Sequence, residues 1–258
     1  MLVRVNAKIN LHLELKGERP DGFHEIDSIF QSVSLPDFID ITKSKDSEYL
    51  GTLVAFELKD ELVYRAHKAV ELYTDKDLPC KISLTKNIPV AAGLGGGSAD
   101  AAGVIVGLNQ LYDLKLSEKQ LCEIAEKVGS DVPFFVIGGT CQVSGRGEVL
   151  KPIKVELSKY FVLARPHKRI STKEMYEHHR LTKKTFFEIC QELCPDVTRL
   201  HQHFSKYEIK EIGLSGSGPT MFCGVDSYAL ASQIAFDLKD FNGDIYLTEP
   251  REKGIEIV

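Results

Sequence analysis

Pro89-Val-Ala-Ala-Gly-Leu-Gly-Gly-Gly-Ser-Ala-Asp-Ala-Ala102 joins a β-rich segment, Cys80-Lys-Ile-Ser-Leu-Thr-Lys-Asn87, to an alanine-rich helical pattern running from Ala99 to Tyr112. Glycines at 93, 95, 96 and 97 carry no Cβ, so several backbone N–H groups can converge on one point at little steric cost. Ser98 stands where a helix N-cap is expected. The unpaired N–H groups and positive dipole end that follow favour a bound anion, most obviously a phosphate. A glycine turn alone serves equally to let a helix and a sheet pack closely. Two standard phosphate loops are excluded. No Gly-Lys-Ser/Thr closes the run. The third glycine of the dinucleotide fingerprint is replaced by Ser98, and Asp113, at the distance of its acidic residue, terminates a helix instead.

Outward from this loop, 258 residues with 43% hydrophobic content make room for one large or two modest domains with a proper core. A net charge of -5 and a pI near 5.9 exclude general binding to nucleic acid or anionic membrane, since no basic excess drives counterion release. Any phosphate site is therefore local. No signal-peptide core follows Met1 and no apolar run reaches a membrane span, so a cytoplasmic protein is expected. The six cysteines form no Cys-x-x-Cys pair, which points to reduced thiols. Cys190 and Cys194 are spaced for one helix face, with His201 and His203 close behind. That set matches no common zinc pattern, and buried core cysteines are the favoured reading.

Val3, Val5, Ala7, Ile9, Leu11, Leu13 and Leu15 alternate as one face of a strand, leaving Arg4, Asn6, Lys8, Asn10, His12 and Glu14 on the other. That polar face is either solvated or lines a cleft. A turn centred on Pro20-Asp21-Gly22 delivers Phe23 and His24 side by side, and strands are expected over 26–35 and 37–41. The pair reads as a packed ring and a surface imidazole, or as an aromatic wall suited to a flat heterocycle. Residues 42–60 read as irregular, and Leu62 to Tyr73 as a helix. Ala99, Gly103 and Gly107 form a small-residue stripe whose helix must pack closely, because each interior glycine costs about 1 kcal/mol. Ser117 and Gln120 form a capping box for a helix ending at Gly129. Asp131, before Val-Pro-Phe-Phe, is either an N-cap or a partly buried, oriented carboxylate. Lys151-Pro152 marks the domain boundary. Beyond it lie a strand over 160–164, a helix opened by Ser171, a polar histidine-bearing segment over 177–206, a second glycine turn within Ile212–Cys223, a helix over 227–239 and a strand near 244–248.

Asn6-Ala-Lys-Ile-Asn-Leu11, Pro89 to Ala102 and Leu214-Ser-Gly-Ser-Gly-Pro-Thr220 resemble, in order, the three motifs of the GHMP small-molecule kinases. Gly17-Glu-Arg-Pro-Asp-Gly-Phe-His-Glu-Ile26, the triple-glycine form of the loop and Gly129-Ser-Asp-Val-Pro-Phe-Phe135 resemble, within that group, the branch acting on 4-diphosphocytidyl-2-C-methyl-D-erythritol. Asn6, Phe23 and Glu61 stand where that pattern has a proline, a tyrosine and an asparagine. The resemblance implies an α+β, two-domain fold. A ribosomal-protein-S5-domain-2-like N-terminal domain would span 1–151, and a shortened ferredoxin-like C-terminal domain 152–258. It implies Lys8 and Asp131 as the catalytic pair. Leu62, Pro89, Gly93, Leu94, Gly95, Gly96, Gly97, Ser98 and Ala99 would bind ATP. Asn10 would lie near the erythritol, and Phe23, His24 and Tyr176 would enclose the cytosine. The implied reaction is ATP-dependent phosphorylation of the 2-hydroxyl of the cytidyl diphosphate sugar alcohol in non-mevalonate isoprenoid biosynthesis. Mg²⁺ accompanies the nucleotide, with the Ser98 hydroxyl as a contact and no metal-binding residue assigned. Partners are limited to the small molecule, with no nucleic acid and no membrane; the chain is expected as a monomer or weak dimer. Two alternatives stay open. One is a sibling kinase for another polyol or isoprenoid phosphate, with Arg165, Lys168 and Arg169 as phosphate ligands. The other is a silent nucleotide sensor, against which the presence of both Lys8 and Asp131 speaks.

Overall fold

A computed structural model describes residues 1–20, 22–51 and 62–258; Asp21 of the expected turn, residues 52–60 of the expected irregular segment, and Glu61 lie outside the described residues. The alternation of Val3, Val5, Ala7 and Ile9 produces β1 (Leu2–Glu18), which pairs antiparallel with β2 (His24–Lys43). The two strands expected over 26–35 and 37–41 are thus one. Pro36 lies opposite Asn6 at a register shift, an irregularity where the missing proline N–H costs no ladder bond. β3 (Glu48–Gly51) falls within the stretch expected to be irregular, and runs parallel to β4 (Cys80–Thr85). It is a four-residue edge strand, too short to show a period. β5 (Thr140–Ser144) pairs with β2, and β6 (Val149–Pro152) pairs with β5.

α1 (Leu62–Thr74), α2 (Gly96–Leu111), α3 (Glu118–Val128) and α4 (Val132–Ile137) pack on one another, with α2 lying directly on this sheet. α2 sits closest. A Cβ at Gly103 would overlap the Val5 and Ile39 side chains, and one at Gly107 that of Ile41. The small-residue stripe therefore lets the helix approach β1 and β2 closely enough to offset its poor helix propensity. The Ser117 capping box is present with both of its hydrogen bonds.

The second sheet holds β7 (Tyr160–Pro166), β8 (Glu211–Leu214), β9 (Met221–Val225) and β10 (Gly243–Thr248), in the antiparallel order β10-β7-β9-β8. Helices fill the β7-to-β8 and β9-to-β10 crossings, which is the ferredoxin-like arrangement. The stretch over 177–206 is mostly helical rather than a polar connection. It holds the end of α5 (Thr172–Thr182), then α6 (Phe186–Leu193) and α7 (Pro195–Phe204). Their narrow apolar stripes, Phe186, Ile189 and Cys190 on α6 and Val197, Leu200 and Phe204 on α7, are buried among charges that mask the period. Cys190 and Cys194 lie in this second core, while the His201 and His203 rings meet Phe187 and Tyr207. α8 (Tyr228–Asp237) completes the layer, and β11 (Ile255–Ile257) returns to pair with β1. Among the described residues no helix is long and apolar enough to cross a membrane.

Candidate active site

The glycine loop opens α2 earlier than expected. Gly95, at a left-handed φ of 70°, is the N-cap, and the helix begins at Gly96. Ser98 is thus the third helical residue rather than the cap, because glycine at 95 reverses the chain direction without a Cβ clash. The N–H groups of Gly96, Gly97 and Ser98 have no intrahelical acceptor, and all three residues line a cavity of about 1170 Å³. Ala99 does not join them. It is fully buried, and its N–H is consumed by the Gly95 carbonyl at 2.9 Å. Gly93 adopts φ +75°, and a Cβ there would overlap the Ser215 carbonyl oxygen. The Ser215 hydroxyl in turn donates to the Gly93 carbonyl at 2.8 Å, fastening the second glycine turn to the first.

β1 carries its polar face into this junction. Asn6, Lys8 and Asn10 are buried rather than solvated; Lys8 and Asn10 line the cleft, while Asn6 Nδ2 donates to the Lys253 carbonyl at 3.0 Å. The Lys8 N–H donates to the Leu94 carbonyl at 3.1 Å, and its Nζ donates to Asn10 Oδ1 at 2.5 Å and lies 4.7 Å from the Phe30 ring centroid. Asn10 Nδ2 donates to Ser28 Oγ at 3.0 Å, which aims its Oδ1 at the ammonium. Desolvation holds the Lys8 pKa below the ordinary lysine range, and the Asp131 carboxylate works against that depression. Asp131 precedes α4 but caps no N–H, so the N-cap reading fails and its carboxylate is left for the cavity it lines. Its Oδ1 lies against Gly147, where a Cβ would sit at 3.1 Å. Lys8 and Asp131 feel each other without forming an ion pair within 4.0 Å, which leaves room between them for reacting groups.

Leu62 and Pro89 line the loop end of the cavity, and Phe23, His24 and Tyr176 line the other. The His24 ring stands 5.1 Å from Tyr176 and 5.4 Å from His179, and Tyr176 meets Phe186 edge-on at 4.9 Å. Phe23 is 51% exposed, with the Arg146 guanidinium 5.1 Å from its centroid. Burial, then the neighbouring His179, lowers the His24 pKa, favouring a neutral imidazole. Burial pushes the Tyr176 hydroxyl up to about 12, with Asp131 adding to the shift.

Sequence reading missed His179 and Phe186, since their place depends on how α5 and α6 pack. It also missed a buried ion cluster under the loop. Lys86 Nζ lies 2.5 Å from Asp37 and 2.6 Å from Asp100, and Asp37 Oδ1 accepts the N–H groups of Asn87 and Ile88. A charged residue within the Ser98-Ala-Asp-Ala-Ala run was the available signal. Burial raises the Asp100 carboxyl well above its usual range, against the pull of Lys86.

The family profile described as GHMP kinases N terminal domain matches residues 61–139. A Bacillus velezensis protein named 4-diphosphocytidyl-2-C-methyl-D-erythritol kinase is 34% identical, with 95% of each chain covered. The chain belongs to the 4-diphosphocytidyl-2-C-methyl-D-erythritol kinase family. A member from Caldanaerobacter subterraneus is likewise 34% identical, with 99% of each chain covered. The crystal structure of a 4-(cytidine 5'-diphospho)-2C-methyl-D-erythritol kinase superposes with a TM-score of 0.81 at 26% identity, covering 97% of this chain and 99% of that one. The chain is accordingly a small-molecule kinase of α+β fold, and membership of this family brings use of ATP.

Proposed function

We propose that the chain transfers the γ-phosphoryl group of ATP to the 2-hydroxyl of 4-diphosphocytidyl-2-C-methyl-D-erythritol. The observation that carries this reading is a single cavity running from the glycine turn, past Lys8 and Asp131, to the His24–Tyr176 pair. Phosphoryl transfer has a loose transition state, so positioning and charge stabilisation supply most of the catalysis. The N–H groups of Gly96, Gly97 and Ser98, with the dipole of α2, hold the nucleotide phosphates. Asp131 accepts a hydrogen bond from the 2-hydroxyl and takes its proton as the new O–P bond forms and the bond from the γ-phosphorus to the β,γ-bridging oxygen breaks. The Lys8 ammonium, fixed by Asn10, offsets charge on the γ-phosphoryl oxygens.

Mg²⁺ fits the hard oxygen donor at the loop, because the Ser98 hydroxyl lines the cavity beside the N–H groups that hold the phosphates. That hydroxyl, with nucleotide phosphates, would hold it, and the ion would screen phosphate charge. A boundary at residues 151 and 152 divides the labour: the first lobe holds the phosphates, and the base of the acceptor is gripped between the lobes, by His24 from one and Tyr176 from the other.

The test is ADP release against a panel of the cytidyl diphosphate methylerythritol, mevalonate, phosphomevalonate and homoserine. Turnover with the first alone is expected. Turnover with another member would make this a sibling kinase, and ATP binding without turnover on any acceptor would make it a sensor.

A further inference from the structure

The acceptor proposed above carries a diphosphate between its methylerythritol and its cytidine, and the catalytic pair does not account for how that charge is met. Three basic residues stand at the end of β7 and just after it, and the structure separates them. Arg165 is bound to Asp244 at 2.9 Å, and Lys168 donates to the Leu193 carbonyl. Arg169 lines the cavity. Two other cations of the acceptor half have carboxylate neighbours. Arg146 reaches Glu126 and Glu148 at 4.0 Å, and Lys173 reaches Glu177 at 3.9 Å. Arg169 has no carboxylate within 4.0 Å among the described residues, and it is exposed at the cavity wall. Arg180 also lacks one, but it lies one helical turn beyond Tyr176 on α5, on the far side of the base-binding pair.

The place of Arg169 along the cavity is set by its neighbours. Thr172, three residues on, shares a hydrogen bond of 3.1 Å with Ser217 of the second glycine turn, and a Cβ on adjacent Gly216 would stand 3.2 Å from Lys8 Nζ. Tyr176, one turn further along α5, meets His24. Arg169 therefore lines the cavity beside the Thr172 end of this span, where the diphosphate of an acceptor reaching from Lys8 to the His24–Tyr176 pair would pass. A guanidinium suits this task because its planar fork binds phosphate oxygens in pairs and carries little hydration to remove.

We infer that Arg169 is a specificity-determining residue that binds the diphosphate of the acceptor and selects nucleoside diphosphate alcohols over uncharged ones. This rests on the proposed acceptor. The test is calorimetric titration of the full chain, saturated with a non-hydrolysable ATP analogue, with cytidine, CMP and CDP. The unmodified protein is expected to bind CDP at least tenfold more tightly than cytidine. In Arg169→Gln that ratio should fall below threefold with cytidine affinity unchanged, and Arg169→Lys should recover part of it. Because Arg169 is exposed, the thermal midpoint of the variant should not move. An unchanged CDP-to-cytidine ratio in Arg169→Gln overturns the assignment while leaving the acceptor standing. Failure of the unmodified protein to bind any of the three overturns the cytidyl acceptor itself, and the assignment with it.

Discussion

The two ends of the cavity are built from different material. Beneath the glycine turn the wall is backbone: Gly93 leaves no room for a Cβ against Ser215, Gly95 would place one 2.6 Å from Phe135, and Lys8 is 3% exposed. At the His24 end the wall is side chain, with the rings of His24, Tyr176 and Phe186 at ordinary stacking distances and Phe23 half exposed beside the Arg146 guanidinium. Backbone cannot be exchanged one atom at a time, whereas rings can be. Changes near the turn should therefore remove chemistry or fold, and changes near His24 should retune the acceptor.

The sharpest test of that contrast is Asp131→Asn, which keeps shape and removes the proton acceptor; kcat should fall by roughly 10²–10⁴-fold with KM for ATP little changed, read by ADP release. A milder loss would mean that Asp131 only orients. Lys8→Met should lower kcat by about 10²–10³-fold without lowering the thermal midpoint, since a buried ammonium costs stability that a methionine does not. A related pH signature accompanies it. In the proposed mechanism the protonated Lys8 is the working form, and its pKa is depressed, so kcat/KM should fall as pH rises through a value below the ordinary 10.5. The same limb should move lower still in Asp131→Asn, because the charge that opposes the depression is gone.

Gly93→Ala should destabilise the chain by about 1–3 kcal/mol in urea unfolding, through a strained φ and the overlap with Ser215. Asp100→Asn probes the same end more gently. The folded-state pKa of Asp100 is raised, so its favourable contribution is present below the unfolded value and is lost as pH rises through the folded one. As pH rises above the ordinary carboxylate range the native thermal midpoint should therefore fall relative to that of Asp100→Asn; a constant gap would show the group ionised throughout. At the far end, Phe23→Leu should raise the acceptor KM only about threefold, a loss on the order of 0.5–1 kcal/mol, with kcat intact. A large kcat effect there would break the contrast between the ends.

Much of this was legible in residue order. The capping box at Ser117, the Gly103 and Gly107 stripe and the alternation of β1 each depend on neighbours within one element, and each appears as read. The N-cap at Gly95 is hidden from sequence reading because serine is the commoner cap, while a left-handed glycine leaves no side-chain signal. Helices α6 and α7 are hard to see in the sequence because their apolar stripes are narrow and broken by charge. β3 was missed because an edge strand of four residues has no period to show.

The sequence by itself determined the order of the three motifs, the small residues that let α2 lie against β1 and β2, and the chemistry of each site side chain, all of them local or compositional properties. Tertiary structure alone decided which polar residues of β1 became buried, that Asp131 would leave its helix uncapped, that Arg169 rather than Arg165 or Lys168 would reach the cavity, and that His179 would stand beside His24. Those outcomes depend on how two sheets and their helices pack against each other, and the desolvation and distance that set a charge's role exist only once that packing has formed.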